Sequence, residues 1–199
     1  MFTALLDTCV LWPSLQRDFL LSLAAEGMYR PAWSSVILEE LEYTETTKLI
    51  NRGENPTEAT RRAAHLIAQM RHAFYDAEVQ GWEPLEGTYD LPDPNDEHVV
   101  AAAVVAGAGA IVTHNLSDFP LGKLPIGIKV IPPARFAADT VSLDPTRAWA
   151  AVAAIAARSG RKGPPVSQTQ ILDRLVDVYN MTDAVVVLRQ ASTEGTRSA

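Results

Sequence analysis

The stretch that most constrains the fold is residues 91–119, LPDPNDEHVVAAAVVAGAGAIVTHNLSDF. Asp93 can cap a helix and Pro94 suits its first position. Asp96 then falls in the first turn, where the helix dipole favours an anion by about 0.3–1 kcal/mol. Gly107 ends that helix. Ala110-Ile111-Val112-Thr113 is apolar without alternation, as expected of a strand covered on both faces in a parallel sheet. Such sheets place ligand sites beyond the carboxyl ends of their strands. Thr113, His114, Asn115 and Asp118 follow there, so an acidic helix start and a polar loop can meet at one sheet edge.

The rest of the chain repeats this grammar. Residues 3–6 form a buried strand ending on Asp7, and a helix begins at Trp12-Pro13, with Leu15, Phe19, Leu20 and Leu23 at helical spacing and Gly27 as its stop. Tyr29 to Trp33 is a short candidate for a second parallel strand. Ser34 or Ser35 caps a helix that turns Val36, Ile37, Leu41, Leu49 and Ile50 inward and carries Glu39, Glu40 and Glu42 in its first turns. Asn55-Pro56-Thr57-Glu58 starts another helix, running to about Phe74. Ala64, Ile67, Ala68 and Phe74 form its buried side, and Arg61, Arg62, His65, Arg71 and His72 its solvated face. Ile126 to Ile131 reads as the last strand, closed by Pro132-Pro133. Alternating strands and helices make an α/β domain with a mostly parallel sheet.

Near residue 140 the composition changes. Asp144-Pro145 starts an alanine-rich helix to about Arg158, SGRKGPP reads as a linker, and Ser167 with Gln170 forms a capping box for a further helix. Leu172, Leu175, Val176 and Tyr179 give that helix an apolar face, suited to packing on the core or to an oligomer interface. The final TEGTRSA is expected to fray. The domains expected are therefore 1–137 and a helical extension, 138–199.

A formal charge of −7 over 199 residues argues against a broad basic nucleic-acid-binding surface and permits a cluster of carboxylates. Cys9 is the only cysteine, which excludes an intrachain disulfide and a cysteine zinc cage. No stretch resembles a signal peptide or an uncharged membrane span, so a soluble, cytoplasmic protein is expected.

Four acids recur at the ends of elements around one sheet edge: Asp7, Glu40, Asp96 and Asp118, with Asp93 and Asn115 close in sequence. Two unit charges about 4 Å apart repel by roughly 4 kcal/mol at an effective dielectric near 20, and a divalent cation reverses that sign. Oxygen ligands suit Mg²⁺ or Mn²⁺, and the implied chemistry is metal-assisted phosphodiester hydrolysis. Asp93 is chiefly a cap, with a second role as a metal ligand open to it. Asn115 or Asp118 completes the set, Thr113 orients substrate or a neighbour, and Cys9 is a small packed residue. A phosphatase reading of strand-then-Asp7 lacks its general acid, since Cys9 stands where the second aspartate belongs. No Gly-rich phosphate cradle is present.

LLDTCVL with Asp7, SSVILEEL with Glu40, DPNDEHVVAAA with Asp96, and IVTHNLSDF with Asn115 and Asp118 together resemble the PIN-domain nucleases, and within them the VapC-type toxins of toxin–antitoxin pairs. The resemblance covers about residues 1–137. It implies a three-layer α/β fold, a Mg²⁺- or Mn²⁺-dependent endoribonuclease site, an RNA substrate, frequent homodimerisation and an antitoxin partner. The family's acidic quartet falls on Asp7, Glu40, Asp96 and either Asn115 or Asp118. Cys9 stands where asparagine is common, Asn115 replaces a frequent acid, and the residues after 140 exceed a minimal PIN domain.

Overall fold

The computed structural model describes residues 1–160 and 164–197, with side chains to residue 193. In chain order the elements are β1 (Thr3–Leu6), α1 (Thr8–Leu11), α2 (Ser14–Ala25), β2 (Arg30–Ala32), α3 (Ser35–Asn51), α4 (Pro56–Ala73) and α5 (Glu97–Val105). They continue with β3 (Ala110–Val112), β4 (Lys129–Ile131), α6 (Pro133–Leu143), α7 (Pro145–Arg158), α8 (Gln168–Tyr179) and α9 (Thr182–Arg197). Two compact units result. One comprises Phe2–Trp12 with Pro31–Ile131, and the other comprises Met1, Pro13–Arg30 and Pro132–Ala199.

The sheet runs in the order β2-β1-β3-β4. β1 and β3 are parallel, with Leu5 opposite Ile111 and Leu6 opposite Val112, and β3 is parallel to β4. Leu5, Leu6, Ile111 and Val112 are fully buried, which is why these strands read as unbroken apolar runs. The parallel sheet with helices after it is the α/β class expected. The last strand is shorter than its apolar pattern suggests, starting at Lys129 rather than Ile126. Ile126 is fully exposed, because Pro125 to Ile128 forms a turn (Ile128 N–H to Pro125 C=O, 3.2 Å) with Gly127 at φ 98°.

In the sheet-bearing unit, Ser34 caps α3 by accepting from Ile37 N at 3.1 Å. The helix buries Ile37, Leu38, Leu41 and Leu49, whereas Val36 is half-buried and Ile50 is exposed, contrary to expectation. Asn55 caps α4 through Thr57 N at 2.9 Å. Its inward stripe is Ala59, Ala63, Ile67 and Met70; Ala64 and Ala68, expected inside, are exposed because the true stripe runs four, four and three residues from Ala59. The basic face of α4 is solvated and its arginines are paired: Arg61 with Glu58, Arg62 with Glu54, and Arg71 with Glu78. α5 ends as its glycine predicts. Gly107 (φ 62°) donates to Val104 C=O and Ala108 to Ala103 C=O, the pair of hydrogen bonds of a Schellman turn.

The helical unit holds α2 and α6 to α9. Asp144 caps α7 through Arg147 N at 3.0 Å, and Ser167 and Gln170 form the expected reciprocal capping box. Its core includes Phe136, Val141, Ile155, Leu172, Leu175 and Leu188, with Tyr29 edge-on to Phe136 at 4.8 Å. Two helices here, α6 and α9, are not foreseen by the pattern. Asn180 in the left-handed region (φ 55°) ends α8, and the backbone of α9 then runs to Arg197 where a frayed end is expected. Residues 161–163 of the expected linker, and Ser198 and Ala199, lie outside the described residues.

Candidate functional site

The register of the sheet builds the centre of the site. Because Leu6 pairs with Val112, Asp7 stands opposite Thr113, and the ladder continues one step further through Asp7 N–H to Val112 C=O at 3.1 Å. Thr113 Oγ1 donates to Asp7 Oδ2 at 2.6 Å and accepts from Asn115 N at 3.0 Å. Cys9 Sγ donates to the same Asp7 oxygen at 3.0 Å and accepts from His114 N at 3.2 Å. Of the two roles expected for Thr113, orienting substrate or a neighbour, its fully buried hydroxyl, bonded to Asp7, suits the second. The Cys9 thiol is pushed up to about 12, chiefly by burial and then by the Asp7 charge, which keeps it protonated and a hydrogen-bond donor.

The helices supply the other acids. Glu40, on an exposed face of α3, accepts from Thr8 Oγ1 through Oε2, and His98 Nε2 lies 3.8 Å from its Oε1. Glu39 and Glu42 instead act on Arg71 of α4, which separates Glu40 from its neighbours in the run of glutamates. Asp93 accepts from both the backbone and the side-chain nitrogen of Asn95 at 2.9 Å, capping the 3₁₀ turn Pro94–Asp96. Asp96 makes no capping bond. Its carboxyl is raised to about 7, first by burial and then by Asp7, Asp93, Asp118 and Glu40. One half-buried group thus feels the charge of all four other acids. Asp118 lies in the 3₁₀ turn Leu116–Asp118, with Ser117 Oγ 3.3 Å from its Oδ1, while the neighbouring Asn115 is exposed.

Two residues between Asp96 and Val99 join the site without a sequence motif that marks them. Glu97 and His98 are each only 2% exposed. Glu97 accepts Tyr89 N at 3.0 Å and Leu91 N at 2.8 Å, pinning the segment that leads into the acidic turn. His98 shares a 2.9 Å hydrogen bond with Ser34 Oγ and lies tilted against Trp82. Burial lowers the pKa of both His98 and His114. The signal was available: Val99 to Ala103 are apolar without a polar face, so the polar residues of the same first turns must be buried and bonded too.

Among the described residues no three His, Cys, Asp or Glu side chains form a group set to hold one ion. The donor chemistry nevertheless suits a hard divalent cation. Every candidate ligand offers oxygen, burial and the neighbouring acids together raise Asp96, and Mg²⁺ is commonly held by one or two carboxylates while keeping its waters. Removing the Thr113 hydroxyl tests how firmly the central acid is held. Thr113→Val should cost about 1.5–3 kcal/mol in urea unfolding, the worth of a hydrogen bond to a charged group.

A parallel α/β sheet with carboxylates gathered where two strands end and two helices pass defines a nuclease-like domain. The family model for the PIN domain matches residues 3–117, more than half of the chain, and the chain belongs to that family. No curated protein and no solved structure matches. PIN domains are typically nucleases, which supports a hydrolase acting on nucleic acid at that coarse level. Among the described residues, no helix is long and apolar enough to cross a membrane.

Proposed function

We propose that this PIN-domain protein is a divalent-metal-dependent endoribonuclease, acting as the toxin of a toxin–antitoxin pair. The observation that carries the reading is the placement of Asp7 against Thr113 where β1 and β3 end, with Glu40 joined to α1 through Thr8 and a half-buried Asp96 that burial and the charges of Asp7, Asp93, Asp118 and Glu40 raise together. Asp7, Glu40, Asp96 and Asp118 would hold Mg²⁺ or Mn²⁺. Asp118 is favoured over Asn115 as the fourth acid because its charge reaches Asp96, and Asp93 serves mainly as the cap. When bound, the cation supplies charge neutralisation at the phosphoryl group and lowers the pKa of water.

The residues themselves explain why a cation is needed. An edge carrying this many carboxylates repels a phosphodiester, so RNA can approach only once that charge is offset. Thr113 and Cys9 hold Asp7 in one orientation, which lowers the cost of ordering it at the moment of binding.

Mn²⁺ should stabilise the wild-type protein by about 2.7 kcal/mol at one hundred times its dissociation constant, read as a rise in melting temperature. The same preparation should cleave structured RNA with Mn²⁺ and stop with EDTA. Neither a thermal shift nor cleavage would leave the second reading, a catalytically degenerate PIN-like interaction protein. That reading is favoured by the absence of a closed three-ligand group among the described residues. The toxin assignment is tested by expression in cells: growth should arrest, and co-expression of the neighbouring reading frame should relieve it.

A further inference from the structure

We infer that His98 is a positioning residue that holds Glu40 for the reaction, its ring fixed by a hydrogen bond with Ser34 so that Nε2 faces the Glu40 carboxylate 3.8 Å away; the inference rests on the ribonuclease reading. Ser34 is fully buried, and its Oγ already accepts from Ile37 N. Its one hydroxyl hydrogen is shut away from solvent, and the acceptor beside it is His98 Nδ1 at 2.9 Å. Ser34 therefore donates and Nδ1 accepts. In a neutral imidazole that places the ring proton on Nε2, the nitrogen 3.8 Å from Glu40 Oε1.

The consequence concerns a long side chain on a solvated helix face. Glu40 is 45% exposed at its side chain and would sample several rotamers if nothing held it. Thr8 donates to Oε2, and the Nε2–H of His98 faces Oε1, so α1 and α5 address one oxygen each. His98 itself cannot swing away, being 2% exposed with Trp82 packed against it. The Ser34 hydroxyl thus both caps α3 and sets the tautomer that orients the acid carried by the same helix.

The test combines spectroscopy with kinetics on the full chain. Ring-nitrogen chemical shifts of ¹⁵N-histidine protein should show His98 protonated at Nε2 and unprotonated at Nδ1; an Nδ1–H tautomer overturns the proposal whether or not RNA is cleaved. In Mn²⁺-dependent cleavage, His98→Phe should lower kcat about 10–100-fold with little change in the KM for RNA, the usual range for groups that orient a metal ligand. His98→Gln, whose amide nitrogen stands as many bonds from Cβ as Nε2 does, should recover most of that loss. In a Glu40→Gln background, His98→Phe should cost nothing further. Equal losses in the Phe and Gln variants, or a loss that adds to that of Glu40→Gln, would mark His98 as merely structural. Absence of cleavage by the wild type sinks the ribonuclease reading instead, and the tautomer then decides the positioning by itself.

Discussion

Asp96→Asn should lower RNA cleavage by more than about 100-fold, beyond the usual cost of losing a group that only supports a metal ligand. It should also raise the melting temperature of the metal-free protein at pH 8. The cleavage loss comes from removing a carboxylate ligand, the stability gain from removing a strained charge. In the folded protein Asp96 is raised from an ordinary value of 3.8 to about 7, by burial and by Asp7, Asp93, Asp118 and Glu40. Between those two values the folded state binds more protons than the unfolded chain, so stability falls as pH rises. The contribution of Asp96 is whole below its unfolded value and is lost as pH passes the folded one. Above pH 7 the wild type therefore carries a destabilising charge that asparagine lacks.

A bound cation inverts this balance. Mn²⁺ should stabilise the wild type more at pH 8 than at pH 6, because the carboxylate must be ionised to bind, and it should stabilise Asp96→Asn far less. Melting curves at the two pH values, with and without Mn²⁺, separate the outcomes. An asparagine variant that is less stable than the wild type at pH 8 without metal would mean that Asp96 is not strained by its acidic neighbours.

Glu97→Ala should destabilise the fold by about 2–6 kcal/mol, since a buried and a part-buried backbone N–H each lose a partner at about 1–3 kcal/mol. The carboxylate is nearly inaccessible and receives Tyr89 N and Leu91 N, one on each oxygen. Glu97→Gln should cost less, because one amide oxygen still accepts while the NH₂ group opposes the second donor. Urea unfolding gives the magnitude, and hydrogen exchange at Tyr89 and Leu91 gives the location, with protection lost in the alanine variant. A cost below about 1 kcal/mol would show that water replaces the carboxylate. Cleavage should fall as well, since the pinned segment leads directly to Asp93 and Asp96.

Much of the architecture is legible in local pattern. Apolar runs at 3–6 and 110–112 are buried strands because both faces of a parallel sheet are covered, and caps at Ser34, Asn55, Asp144 and Ser167 follow from a side-chain oxygen meeting an unpaired N–H. Where pattern fails, a competing contact explains it. Alanine is too small to mark its own side of α4, so the pattern places Ala64 and Ala68 on the wrong face. Pro125 and Gly127 turn the chain through an otherwise apolar stretch and shorten β4. α6 begins at the proline pair that reads as the end of a strand, since Pro132 and Pro133 suit a helix N-terminus as well.

The sequence by itself determined which acids sit at the ends of strands and the starts of helices, because capping and burial patterns are local. Only the tertiary structure decided how they meet. The pairing of Leu6 with Val112 sets Asp7 against Thr113, a contact across more than one hundred residues that no local pattern encodes. Within residues 91–119, Asp93 is tied up as a cap, Asp96 is left to bear the repulsion of its neighbours, and Glu97 and His98 turn inward to hold the approach segment and to face Glu40. Those assignments depend on the direction each side chain takes once α5 is packed against β1 and β3, and that direction is a property of the assembled sheet and helix.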